Sequence, residues 1–146
     1  MNIFLDTSSL FKLYHREADT QIIEEIFSSF TVKNIYLSQI TKVEFASSIW
    51  KKVRTNEISN NDAKVILELF DADFKKYIFI PIDRIIIDQA RDLVIKYSLK
   101  GLRTLDALQL STSLSLAKIV SLFITSDNLL KTILNEEGLT TEISNN

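Results

Sequence analysis

NIFLDTSSL, residues 2–10, carries a strand, a turn and a helix start in one stretch. Asn2 to Leu5 is short, mostly apolar and without alternation, as a strand buried on both faces reads. Asp-Thr-Ser-Ser breaks the run with residues that bond nearby backbone and cap helices. A brief helix is expected over residues 8–14. Asp6 is thereby placed at the carboxyl end of a buried strand, where the chain turns.

The same grammar recurs outward from this stretch. Strands are predicted at 34–37, 77–80 (stopped by Pro81) and 120–124, with a last edge strand at 140–143. Between them run amphipathic helices. One covers 20–30 through Ile22, Ile23, Ile26, Phe27 and Phe30. The next, capped by Ser38, buries Ile40, Val43, Ala46, Trp50 and Val53. A helix at 59–75, capped by Ser59 or Asn60, turns Ala63, Ile66, Leu67, Phe70 and Phe74 inward. Another spans 83–97 through Ile86, Ile87, Ala90, Leu93, Val94 and Tyr97, and Lys100-Gly101 ends it. Leu105, Leu108, Leu110 and Leu114 carry a helix from Thr104 to about Ala117, and 128–136 is a helix closed by Gly138. Apolar strands alternating with helices imply a three-layer α/β/α fold, with a central, mainly parallel sheet of about four to five strands. Residues 1–146 are expected to form a single domain.

Composition removes several chemistries. There is no cysteine and one histidine, His15. Disulfides, thiolate zinc sites, cysteine nucleophiles and multi-histidine zinc centres are therefore excluded. No basic segment precedes a long apolar run, which disfavours secretion and membrane spanning and makes the cytoplasm the expected compartment. A net charge of −2 gives no global footprint for nucleic acid, so such binding must be local. The candidate patch is Lys42, Lys51, Lys52 and Arg54, joined by Lys100 and Arg103; a solvated helix face is the plainer account of it.

Four acids stand at strand ends or early helix turns: Asp6, Glu44 in VEFASSIW, Asp106 in LRTLDALQL and Asp127 in FITSDNLL. Taken singly, each has an ordinary explanation as a cap, a turn residue or a helix-dipole partner. Together they are another matter, because ligands bind beyond the carboxyl ends of parallel strands and gathered carboxylates repel unless they share protons or hold a cation. All-oxygen donors of this kind suit Mg²⁺ or Mn²⁺.

LDTSSL, VEFASSIW, LRTLDALQLSTSL and FITSDNLL, in this order, resemble the PIN-domain ribonucleases, especially the VapC-type toxins of bacterial and archaeal toxin-antitoxin pairs. The resemblance spans nearly the whole chain. It implies a PIN-like fold and a metal-dependent endoribonuclease whose acidic quartet is Asp6, Glu44, Asp106 and Asp127. Asp6 and Asp106 would hold the metal most directly, with Glu44 and Asp127 completing its shell or that of a second ion. Thr7, Ser8 and Ser126 fall at small polar positions that orient a ligand or water, and Arg103 at one that meets phosphate or pairs with a carboxylate. The partners implied are an RNA substrate, a cognate antitoxin whose basic segment enters the acidic cleft, and a second copy in a homodimer. Phe11, Tyr14 and Trp50 are candidates for the dimer or antitoxin groove.

Three other readings compete. A haloacid-dehalogenase-like phosphatase needs Asp-x-Asp after the first strand, and here the second position is Ser8. A receiver domain lacks its early acidic pair and its late lysine. A noncatalytic PIN-like binding module, or a PIN nuclease that processes RNA without being a toxin, keeps the fold and changes the role.

Overall fold

The structure, a computed structural model, describes residues 1–143. Its strands are β1 (Asn2–Leu5), β2 (Asn34–Ser38), β3 (Tyr77–Ile80) and β4 (Leu122–Ile124). They form one sheet in the order β3-β2-β1-β4, and every neighbouring pair is parallel. The helices are α1 (Thr7–Phe11), α2 (Thr20–Ser29), α3 (Thr41–Arg54), α4 (Asn60–Ala72), α5 (Arg84–Lys96), α6 (Thr104–Ser115) and α7 (Asn128–Glu136).

Parallel strands require crossovers, and here the crossovers cover both faces of the sheet. The strands' alternation divides the core accordingly. Ile3, Leu5, Leu122 and Ile124 pack with Leu10, Phe11, Ile23, Phe45, Ile49 and Phe70 of α1 to α4. Phe4 and Phe123 face the other way, onto Ala90, Leu93, Leu110, Leu130 and Ile133 of α5 to α7. The first layer is knit by aromatic rings: Phe45 and Phe70 lie 4.3 Å apart, with Tyr14 edge-on to them at 5.6 and 5.7 Å. This is the expected α/β/α architecture with four wholly parallel strands.

Strand order also fixes where a site can form. From β1 the chain moves to β2 and then β3 on one side, and later returns to place β4 on the other side of β1. The connections after β1 and β4 therefore diverge, opening a crevice at their carboxyl ends, the usual ligand position in an open α/β sheet.

Several expectations need correction. α3 is turned by about one position: Thr41, Phe45 and Ile49 are buried, whereas Val43 is 65% exposed. Two apolar series run through that helix, and the one carrying Phe45 meets the aromatic cluster. Ser38 does not cap α3. It ends β2, opposite Ile80, and its hydroxyl accepts the Ile40 N–H at 3.2 Å. Residues 140–143 form no strand; Phe123 donates one backbone bond to Thr140 O, at 2.9 Å, and Glu142 is drawn aside to Lys131. Phe11 is buried, and Tyr14 and Trp50, partly buried, pack against the same core, so these aromatics contribute to the first layer. Leu105, by contrast, faces outward from α6.

Candidate active site

Asp6 is the first residue after β1 and the N-cap of α1. Its N–H donates to Ile124 O at 3.2 Å, which extends the β1–β4 ladder by one bond. The carboxylate is 5% exposed. It accepts the Ser9 N–H at 3.0 Å, the Ser8 hydroxyl at 2.8 Å and the Thr125 hydroxyl at 2.5 Å. Burial pushes its pKa above the ordinary carboxylate value, and the bonds from Thr125, Ser9 and Ser8 oppose that rise.

Glu44 reaches the same region from the first turn of α3. Its Oε1 accepts Gln109 Nε2 at 2.8 Å and the Thr7 hydroxyl at 3.1 Å. Burial again raises its pKa; Gln109 and Thr7 pull it back, while the charges of Asp6 and Asp106 push it further up. Asp106, in the first turn of α6, is raised by burial and then by Asp127 and Asp6, against a lowering by Arg103. Asp127 is exposed and caps α7, accepting the Leu130 N–H at 2.7 Å. Its own N–H donates to Thr125 Oγ1 at 3.0 Å. The four acids from four separate segments thus influence one another through space.

The donor set fits a hard divalent cation: it is all oxygen and anionic, and three of its members are lifted by burial. Among the described residues, however, no three of the acids already converge as ligands. Asp6 is held by Ser8, Ser9 and Thr125, and Glu44 by Thr7 and Gln109.

Of the supporting residues, Thr7 bonds Glu44 and Thr41, and Ser8 bonds Asp6. Ser126 contributes its backbone N–H, donated to Ser8 Oγ at 3.2 Å. The hydroxyl that reaches Asp6 belongs to its neighbour Thr125, which sequence reasoning missed. Gln109 was missed as well. Its side chain is 2% exposed and donates to Glu44, to Thr41 Oγ1 at 3.1 Å and to Thr7 Oγ1 at 3.3 Å. Gln109 Oε1 has no partner among the described residues. Turning the amide over would set that carbonyl against the Glu44 carboxylate, so an unpaired acceptor accompanies the stronger, charge-assisted bond. The available signal was a polar residue at an inward position one turn after Asp106.

Several members of the expected basic patch are engaged by neighbours. Lys42 lies over the Phe74 and Phe79 rings, Lys52 pairs with Glu17 at 2.9 Å, and Lys100 pairs with Glu136. Arg103 is exposed and makes no ion pair among the described residues; it reaches Asp106 as a charge. A cavity of about 280 Å³ borders the acids through Thr7 and Ser8. A wider one of about 610 Å³, lined by Tyr97, Leu99 and Glu136, holds none of them. No helix of the described residues is long and apolar enough to cross a membrane.

A parallel sheet wound both ways from its first strand, with Asp6, Glu44, Asp106 and Asp127 on segments that follow its strands or open its helices, is a doubly wound α/β fold. A family model described as the PIN domain matches residues 3–133, and the chain belongs to that family. No curated protein sequence matches it. Among solved structures it is similar to FitAcB from Neisseria gonorrhoeae, with a TM-score of 0.70 and 14% identity over 97% of this chain and 96% of that one. It is also similar to VapC20 of Mycobacterium tuberculosis, described as a sarcin-ricin loop cleaving toxin (TM-score 0.68, 14% identity, 90% and 94% covered). VapBC-1 of nontypeable Haemophilus influenzae gives a TM-score of 0.63 at 17% identity, with 97% of each chain covered. At such identities the likeness is one of fold.

Proposed function

We propose that this chain is a Mg²⁺- or Mn²⁺-dependent endoribonuclease and the toxin of a VapBC-type toxin-antitoxin pair. One observation carries the reading: Asp6 and Asp127 follow β1 and β4, at the crevice where the sheet's winding reverses, while Glu44 and Asp106 stand in the first turns of α3 and α6. Membership of the PIN domain family and the fold shared with a cleaving toxin and a VapBC complex support it.

Asp6 and Asp106 would hold the cation, with Glu44 and Asp127 completing an oxygen shell. A cation bound there would supply a water of lowered pKa and a Lewis acid for the scissile phosphate. The chain's own residues do the rest. Ser8, Ser9 and Thr125 orient Asp6, and the hydrogen bond from its backbone N–H to Ile124 O of β4 keeps it at the carboxyl edge of the sheet. Thr7 and Gln109 hold Glu44 so that its second oxygen faces away from their donors. Asp127 carries its charge at the exposed rim of the crevice, and Arg103 brings a cation close to Asp106. The expected partners are RNA, a second copy of the chain and an antitoxin that places basic side chains against the acids.

The deciding experiment is cleavage of a labelled RNA pool by the purified protein with Mg²⁺ or Mn²⁺. Cleavage is expected to vanish with EDTA and in Asp106→Asn. Activity that survives in both controls removes the metal-dependent acidic-site reading, and absence of cleavage under every condition favours a binding module.

A further inference from the structure

The cavity that borders the acids brings lysines beside them. Its walls include Ser8, Lys12, Lys52 and Ser126, together with Glu17 and Asp19. A smaller cavity of about 120 Å³ shares Lys12, Asp19 and Ser126 with it and adds Thr125 and Lys131. Lys12 follows α1 immediately, and its side chain is only 6% exposed. A buried ammonium is costly unless its donors are satisfied. Among the described residues, however, this three-donor group has one acceptor, Asp19 Oδ2, at 3.3 Å on a side chain that is 60% exposed. Lys52 is arranged similarly: it lies over the Phe11 ring at 5.0 Å and pairs with Glu17 at 2.9 Å. Both carboxylates come from one connection, between α1 and α2. Lysines interleaved with serine hydroxyls suit an anion, and the two side-chain anions that pair with them here, Glu17 and Asp19, are walls of the same cavity.

We propose that this cavity receives a backbone phosphate of the RNA next to the one that is cut. Lys12 and Lys52 are its contacts, and Glu17 and Asp19 are internal stand-ins that the phosphate displaces. The inference rests on the ribonuclease reading and adds the path of the strand. Ser8 links the two places, since it donates to Asp6 and also walls the cavity.

The test is anisotropy of a short fluorescent single-stranded RNA, titrated onto the whole protein in EDTA at several salt concentrations. Lys12→Met and Lys52→Met should each weaken binding about tenfold. Each should also lower the slope of log affinity against log salt by about 0.7. Glu17→Gln and Asp19→Asn should act in the opposite direction, tightening binding several-fold, because a competing anion is gone. In cleavage assays the lysine variants should raise KM with kcat close to the parent's. Ion pairs with a purely structural role predict lower melting temperatures in all four variants with RNA affinity and salt slope unchanged, and that result overturns the proposal. If Lys12→Met does not fold, Asp19→Asn decides by the sign of its effect. Inorganic phosphate is titrated in parallel; if it saturates the site where RNA does not compete, the site serves free phosphate and the RNA assignment falls. Lysine-dependent RNA binding alongside cleavage that survives Asp106→Asn would leave this site standing and remove the acidic-site reading. The reverse pair of results would remove this site alone.

Discussion

Asp6 and Asp127 each hold two positions at once, as a member of the acidic group and as the N-cap of a helix. Asparagine caps as well as aspartate does, so Asp6→Asn and Asp127→Asn keep the cap while deleting the charge. These variants should fold like the parent and lose cleavage. Asp106→Asn carries a pH signature. Asp6, Glu44 and Asp106 have raised values in the folded protein, so between the ordinary carboxylate range and those values the folded chain binds more protons than the unfolded chain. Their contribution to stability therefore falls as pH rises through that window. Without divalent cations, the melting temperature of Asp106→Asn should exceed the parent's by more at pH 7.5 than at pH 5, and calorimetry at the two values checks this. Gln109→Leu removes the donor that fixes Glu44. Cleavage should fall by about ten- to hundredfold, as for other groups that orient metal-binding carboxylates, with the circular dichroism spectrum retained.

Elements were legible where composition punctuates them. β1 and β3 lie where their short apolar runs end, because Asp6 and Pro81 stop them without help from distant contacts. α7 is bounded just as locally, by Asp127 before it and by Gly138, with φ of 85°, after it. α3 was read one position out of turn because its two apolar series compete, and only the tertiary position of Phe70 selects Phe45. The four acids could be read from strand ends and helix starts. The bonds of Gln109 and Thr125 could not, since they join segments 65 to 119 residues apart in sequence. A cap away from the acids gives a clean control at this scale. Asp83 accepts the Ile86 N–H at 2.9 Å at the start of α5. Asp83→Ala should cost about 1 kcal/mol in denaturant unfolding and leave cleavage unchanged.

At the scale of the molecule, the aromatic cluster of the first layer packs under the helix that carries Glu44. Phe45 is fully buried between Phe11, Tyr14 and Phe70. Phe45→Ala should cost about 3–5 kcal/mol, measured by urea unfolding, and should reduce cleavage through the fraction folded. The bond from Thr125 to Asp6 joins residues 119 positions apart, and β4 is the last strand to join the sheet. Ribosomes add about 5–20 residues per second, and parallel pairings between distant segments close late. The crevice is therefore incomplete until β4 has been made. A nascent chain that has not yet exposed residue 125 lacks the hydroxyl that bonds Asp6, so the two walls of the crevice come together only after β2 and β3 have been made.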